Sequence, residues 1–142
     1  MHGSRLFSAL ALLTAAVLLS GCQGGTMTSY RLQQEAETLS SLAADGRLLA
    51  QSVADDETTD AFVRVHSSEL AIRTRDLAAE LESARWLPQT RAETPKLIEL
   101  ARSVAEALEQ LNNGASNPSV GADVSERLGE LSDQAEELGK RA

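Results

Sequence analysis

Apolar residues recur at the three- and four-residue spacing of an amphipathic α-helix in four successive stretches after residue 29. In the first stretch, leucines and a valine take the a and d positions of a heptad and alanines take the neighbouring e positions, which makes an apolar stripe three residues wide. Each stripe has to be buried against another helix. The pattern therefore predicts an all-α domain over residues 30–142, with four amphipathic helices in an antiparallel up-down bundle.

Turn and capping residues predict where the helices begin and end. The first helix is predicted over Ser29–Ala54 and continuous through Gly46, with a turn at that glycine as the alternative. The second is predicted over about Thr59–Leu87, before a proline. Thr94 and Asn117 are predicted as N-caps of the third and fourth helices, because a proline follows each of them. Three glycines weaken the fourth helix, so it is predicted to depend on packing.

Composition favours helix over sheet. Aromatic residues make up only 3% of the chain, and alanine, leucine, glutamate and arginine dominate it. An acidic chain is also compatible with disorder, but leucine and valine recur here too regularly for that interpretation.

The first 21 residues have the order of a secretory signal peptide. Arg5 supplies a positive charge, an apolar segment follows over Leu6–Leu19, and the small residues Ser20 and Gly21 come next. A retained transmembrane helix is the alternative. Fourteen helical residues span only about 21 Å, which is short of the ~30 Å hydrocarbon core. Residues 1–21 are therefore predicted to be removed.

The chain's single cysteine stands where this leader ends. The run Leu19-Ser20-Gly21-Cys22 resembles the lipobox of bacterial lipoproteins. The resemblance implies a thioether between Cys22 and diacylglycerol, followed by cleavage before that cysteine. Two acyl chains would anchor the protein stably without a membrane-spanning helix. The alternative is a soluble secreted protein with an unpaired thiol.

Removal of the leader leaves an acidic chain. Twelve basic residues against 21 acidic ones give a formal charge of −9, because Arg5 leaves with the leader. Such a chain is not expected to bind nucleic acid, and its contact with the membrane is expected to run through the lipid on Cys22. Residues 22–29 are predicted to be the lipidated cysteine and a flexible tether that is rich in glycine, serine and threonine.

One polar cluster falls on the predicted inner face of the second helix. His66, Arg73 and Glu80 follow one another at two-turn spacing, with Glu69 beside Arg73. One hypothesis is a small-ligand or pH-sensing site that uses His66 and Arg73. The favoured interpretation is a partly exposed edge of the stripe, where Glu69 and Arg73 form a weak surface ion pair.

Trp86, at the end of the second helix, is the other candidate. It is predicted to cap one end of the core, and a role as an anchor for a binding partner is the alternative.

No catalytic motif accompanies these residues. The sequence lacks the CxxC, HExxH, GxGxxG and P-loop patterns, and after removal of the leader it has one histidine. No enzyme activity, metal or cofactor is therefore expected. The sequence predicts a lipid-anchored binding, scaffolding or structural module on the extracytoplasmic face of a bacterial membrane. A protein partner in the cell envelope and a homodimer through the fourth helix are further expectations.

Overall fold

The computed structural model describes residues 25–142, and the predicted all-α fold is confirmed for them. Four long helices account for most of these residues, and two strands of two residues each join one end of the bundle. The predicted signal peptide, Cys22 and the first residues of the tether lie outside the described residues. The elements are β1 (Thr26–Met27), α1 (Ser29–Ala54), α2 (Asp60–Ser83), β2 (Arg85–Trp86), α3 (Thr94–Asn113) and α4 (Pro118–Arg141).

The first helix of the bundle packs closely against the last. A Cβ atom on Gly121 of α4 would lie 2.8 Å from Ala50 O, and one on Gly139 would lie 3.2 Å from the Cβ of Ala36. Between these points, the hydroxyls of Ser40 and Ser132 are 3.0 Å apart. The alanine edge of α1 thus faces small residues of α4, which explains how a helix with three glycines is held in place.

The first helix is continuous through Gly46, as predicted. A Cβ atom at this position would lie 2.6 Å from Cδ2 of Leu108 in α3 and 3.0 Å from Cδ1 of Leu128 in α4. The glycine is therefore a point of close packing in the middle of the core, where two leucines from other helices meet α1, and it is not a turn.

The second helix is shorter than predicted. It ends at Ser83, and Ala84 is already extended. Arg85 and Trp86 then pair in parallel with Thr26 and Met27. Thr90 fixes this junction, because its hydroxyl donates a hydrogen bond to Met27 O at 3.0 Å.

The same junction shows that the prediction of a flexible tether over residues 22–29 is wrong for its second half. Met27 is completely buried and belongs to the main hydrophobic core, so residues 26–28 form part of the folded body. A run of glycine, threonine and serine gave no sign of this, because the order comes from a strand partner almost sixty residues away.

The predicted N-cap is confirmed at Asn117, whose side chain accepts a hydrogen bond from Ser119 N. Thr59 caps α2 in the same way, by accepting a hydrogen bond from Phe62 N. The prediction for Thr94 is wrong, since it is the first residue of α3. Its buried hydroxyl donates to Thr90 O at 2.8 Å. The preceding turn supplies this acceptor, so the threonine continues the turn into the helix and does not cap it.

Candidate functional site

The predicted lipidation motif lies outside the described residues, so its role stays a prediction. The motif comprises Leu19, Ser20, Gly21 and Cys22. The structure does describe where the chain enters the folded body, because Gly25 O accepts a hydrogen bond from Arg85 N at 3.2 Å. The entry point is thus at the end of the bundle where α1 begins and α2 ends.

The structure brings together two of the other predicted site residues, His66 and Arg73. Both line an open groove between α1 and α2 with a volume of about 510 Å³. The residues that line the groove are Asp45, Leu48, Leu49 and Ser52 from α1, and Phe62, His66, Glu69, Leu70 and Arg73 from α2.

The groove follows from the way the helices pair. The most extensive packing joins α1 to α4 and α2 to α3, whereas α1 and α2 meet less closely. Arg31 and Glu80 form an ion pair across this seam near the entry point of the chain. Farther along, the two helices leave the groove between them.

The inner face of α2 differs from the predicted one. His66 was predicted on the inner face but is only half-buried, and the neighbouring Phe62 is 51% exposed. The buried residues of α2 are Val63, Leu77 and Leu81, together with the small residues Ser67, Ala71, Thr74 and Ala78.

Two hydroxyl groups explain this shift of the buried face. Ser67 Oγ donates to Val63 O at 2.7 Å and Thr74 Oγ1 donates to Leu70 O at 2.8 Å. Because the preceding turn satisfies both hydroxyls, these small polar side chains can be buried at little cost against α3. The larger Phe62 side chain is left at the surface, with His66 half-buried beside it.

An exposed apolar surface results. Leu48, Phe62, Val65 and Ile72 are 63%, 51%, 64% and 52% exposed, respectively. Phe62, Val65 and Ile72 lie along α2 at helical spacing, and Leu48 faces Phe62 across the groove. We call these four residues the apolar surface. Clustered exposed apolar side chains are typical of interaction sites.

The polar groups beside this surface are mostly unpaired. The rings of His66 and Phe62 have centroids 4.1 Å apart at a 50° tilt, and His66 Nδ1 lies 4.0 Å from Glu69 Oε2, which is too long for a hydrogen bond. Arg73 has no carboxylate within 4.0 Å among residues 25–142, so the predicted Glu69–Arg73 pair is not formed. Glu80 is likewise not part of this cluster, because it pairs with Arg31.

Trp86 lies away from the groove, beside the entry point of the chain. Its Nε1 donates a hydrogen bond to Leu81 O at 3.0 Å, and the half-buried ring packs against the hydrophobic core. These contacts favour the core-capping interpretation of this residue over a partner anchor.

A second depression of about 570 Å³ lies between α3 and α4. Most of its charged groups are paired: Lys96 lies 2.9 Å from Glu93, and Arg141 lies 3.5 Å from Glu137. Its leucines 131 and 138 are buried in the core. It therefore offers less unsatisfied surface than the groove between α1 and α2.

Within residues 25–142, no three side chains of histidine, cysteine, aspartate or glutamate come together as a metal site would require. In the same residues, no helix combines the length and apolar character needed to cross a bilayer.

Comparisons of the chain with models of protein families, with curated proteins and with solved structures found no match.

Sequence reasoning missed part of the apolar surface. Val65 and Ile72 fall on the outer side of α2, and Leu48 stands next to the buried Leu49 in α1. The available signal was that these residues do not fit the apolar stripe of their own helix. A large apolar residue on an outer face does not contribute to the core, so several of them on one face indicate a candidate interaction surface.

Proposed function

We propose that this protein is a lipid-anchored, extracytoplasmic lipoprotein of a bacterial cell envelope that binds a protein partner without catalysing a reaction. The observation that carries the binding role is the apolar surface of Leu48, Phe62, Val65 and Ile72. The lipid anchor rests on the resemblance of residues 19–22 to a lipobox.

The proposed occupant of the apolar surface is an amphipathic helix of an envelope protein that carries carboxylates beside its apolar residues. Phe62 would be the aromatic anchor, and Val65 and Ile72 would extend the contact along one line. Charge complementarity supports an acidic partner. Arg64 and Arg73 flank this line together with one carboxylate, Glu69, and neither arginine has a carboxylate within 4.0 Å among the described residues.

A photo-crosslinking amino acid introduced at Val65 tests this proposal in the full-length protein in its own cell. We expect one defined crosslinked product that is lost when Arg64 and Arg73 are both changed to Glu. Ala122, an exposed position on α4, is the matched control site and should give no product.

The mass of the product identifies the occupant. A product at the mass of two copies of this chain would show that the occupant is a second copy and not an envelope protein. No product at Val65, or the same product at Ala122, would reject the binding role of this surface.

A homodimer through the apolar stripe of α4 is a weaker proposal. Val124, Leu128, Leu131, Ala135 and Leu138 are all buried within one copy of the bundle. A dimer would have to use other residues of α4, and light scattering on the purified protein tests for it.

The second candidate function is a small-anion or pH-sensing groove. It is favoured by the position of His66 and Arg73 in one groove, with no carboxylate paired to the arginine. Thermal melting in inorganic phosphate, sulfate or acetate tests it. A rise in melting temperature that Arg73→Ala abolishes would support sensing, and unchanged melting in all three anions would remove it.

A further inference from the structure

Charge is distributed unevenly between the two ends of the bundle. The distal end, residues 55–60 and 114–123, carries five carboxylates and no lysine or arginine. The opposite end, where the chain enters the body, comprises residues 25–30, 84–93 and 140–142. We call it the entry end. Its charged side chains are Arg85, Arg91, Glu93, Lys140 and Arg141.

Two of these arginines are not neutralised by the protein. Arg85 and Arg91 are exposed, and within residues 25–142 no carboxylate lies within 4.0 Å of either. In contrast, Lys140 lies 2.9 Å from Glu136, and Arg141 lies 3.5 Å from Glu137. The net positive character of the entry end therefore comes mainly from Arg85 and Arg91.

The covalent chain keeps these arginines near residue 22. Gly25 O accepts a hydrogen bond from Arg85 N, and Cys22 precedes Gly25 by three residues. Three residues reach at most about 11 Å. If Cys22 carries the lipid, as the proposed function requires, the entry end is held close to the headgroups, where surface charges attract one another over a Debye length of roughly 8 Å.

The entry end also exposes an aromatic side chain of the kind that lies at membrane interfaces. Tyr30, at the start of α1, is 70% exposed, and its hydroxyl accepts a hydrogen bond from Gln34 Nε2 at 3.0 Å. A ring with a hydroxyl group suits the boundary between acyl chains and headgroups.

We infer that Arg85, Arg91 and Tyr30 form a second contact with the membrane, on a surface of anionic phospholipid headgroups. This contact orients the bundle with its entry end on the bilayer and its acidic distal end away from it. The negative total charge of the chain does not indicate such a contact. Repulsion between the acidic distal end and the lipid is screened over the length of the bundle, whereas Arg85 and Arg91 lie close enough to the headgroups to attract them.

Trp86 provides the measurement, because it is the only tryptophan and lies in the entry end. The lipidated protein is reconstituted on vesicles of phosphatidylcholine alone or mixed with phosphatidylglycerol, and each contains a lipid with a quencher on its headgroup. We expect quenching of Trp86 to be about twofold or more stronger on the anionic vesicles at low salt, and this difference to vanish in high salt.

The double variant Arg85→Glu with Arg91→Glu should lose the difference between the two kinds of vesicle. The matched control, Arg47→Glu with Arg75→Glu, makes the same change of charge at exposed positions on the sides of the bundle and should retain it. Equal quenching of the unmodified sequence on both vesicles, or loss of the difference in both double variants, would overturn this inference while the anchor stands. Failure to float with phosphatidylcholine vesicles would reject the anchor and the inference together.

Discussion

Gly121 of α4 lies so close to Ala54 of α1 that a Cβ atom on the glycine would come within 2.6 Å of the Ala54 backbone nitrogen. Neither backbone can move aside without separating the two helices. We therefore expect Gly121→Ala to destabilise the protein by about 1–3 kcal/mol, although alanine is the better helix former. Chemical denaturation followed by circular dichroism measures this.

Gly129 is the matched control on the same helix. A Cβ atom there would lie 3.4 Å from the Arg47 side chain, which can move. Gly129→Ala should stabilise the protein by about 0.5–1 kcal/mol. If the two substitutions have the same effect, the close approach of α1 and α4 at Gly121 is wrong.

Met27 provides a test of whether the segment before α1 belongs to the folded body. Its side chain is completely buried, so Met27→Ala should cost about 2–5 kcal/mol of unfolding free energy. The exposed neighbour Thr26 should tolerate alanine with a change within about 0.5 kcal/mol. A flexible tether would give two equally small effects.

Cys22→Ser is expected to abolish membrane association while leaving the helical content unchanged, since the residue precedes the described body. Sedimentation of membranes after a carbonate wash and circular dichroism measure the two properties. Gln23→Ser, one residue later, should leave the anchor in place. The lipid anchor is refuted if the Cys22→Ser protein still sediments with membranes, or if mass spectrometry of the unmodified sequence finds a free thiol.

Glu136 and Lys140 form an ion pair near the end of α4, with 2.9 Å between Oε1 and Nζ. The hydrogen bond from Lys140, together with its charge, lowers the pKa of Glu136 from the ordinary value of 4.5. Because the pKa is lower in the folded state than in the unfolded state, the stabilisation is fully present above pH 4.5 and is lost as the pH falls through the folded-state pKa.

We therefore expect a small loss of melting temperature in Glu136→Gln at neutral pH that shrinks as the pH is lowered below 4.5. The control is Glu130→Gln, which removes an exposed carboxylate with no cation within 4.0 Å in the described chain. An NMR titration of the Glu136 carboxyl group with its midpoint at or above 4.5 would contradict the pairing.

His66 and Arg73 line one groove because both lie on one helix, where residues seven apart share a side. The structure leaves His66 half-buried and Arg73 exposed, in agreement with the favoured interpretation of a partly exposed edge of the stripe. Helical periodicity locates a face but does not say which of two adjacent rows of residues meets the next helix, and α2 has a poorly defined stripe. Small residues such as Ser67 and Ala71 let α3 approach α2 closely, and this approach decides which row of α2 residues is buried.

The parallel pairing of β1 with β2 could not be predicted from the sequence, for a related reason. Thr26 and Met27 form a strand only because Arg85 and Trp86 offer backbone groups in register. Nothing within the glycine- and threonine-rich segment favours an extended, buried conformation by itself. Pairing between distant segments depends on where the helices have already placed them.

The sequence by itself determined the four helices, the extent of α1 and the cap at Asn117, because these depend on residues within a few turns of one another. Only the tertiary structure decided which side of α2 is exposed, where α1 and α2 part to form a groove, and that Arg85 lies beside the entry of the chain. Those features depend on the distances between helices, which are set by the sizes of side chains that are far apart in the sequence.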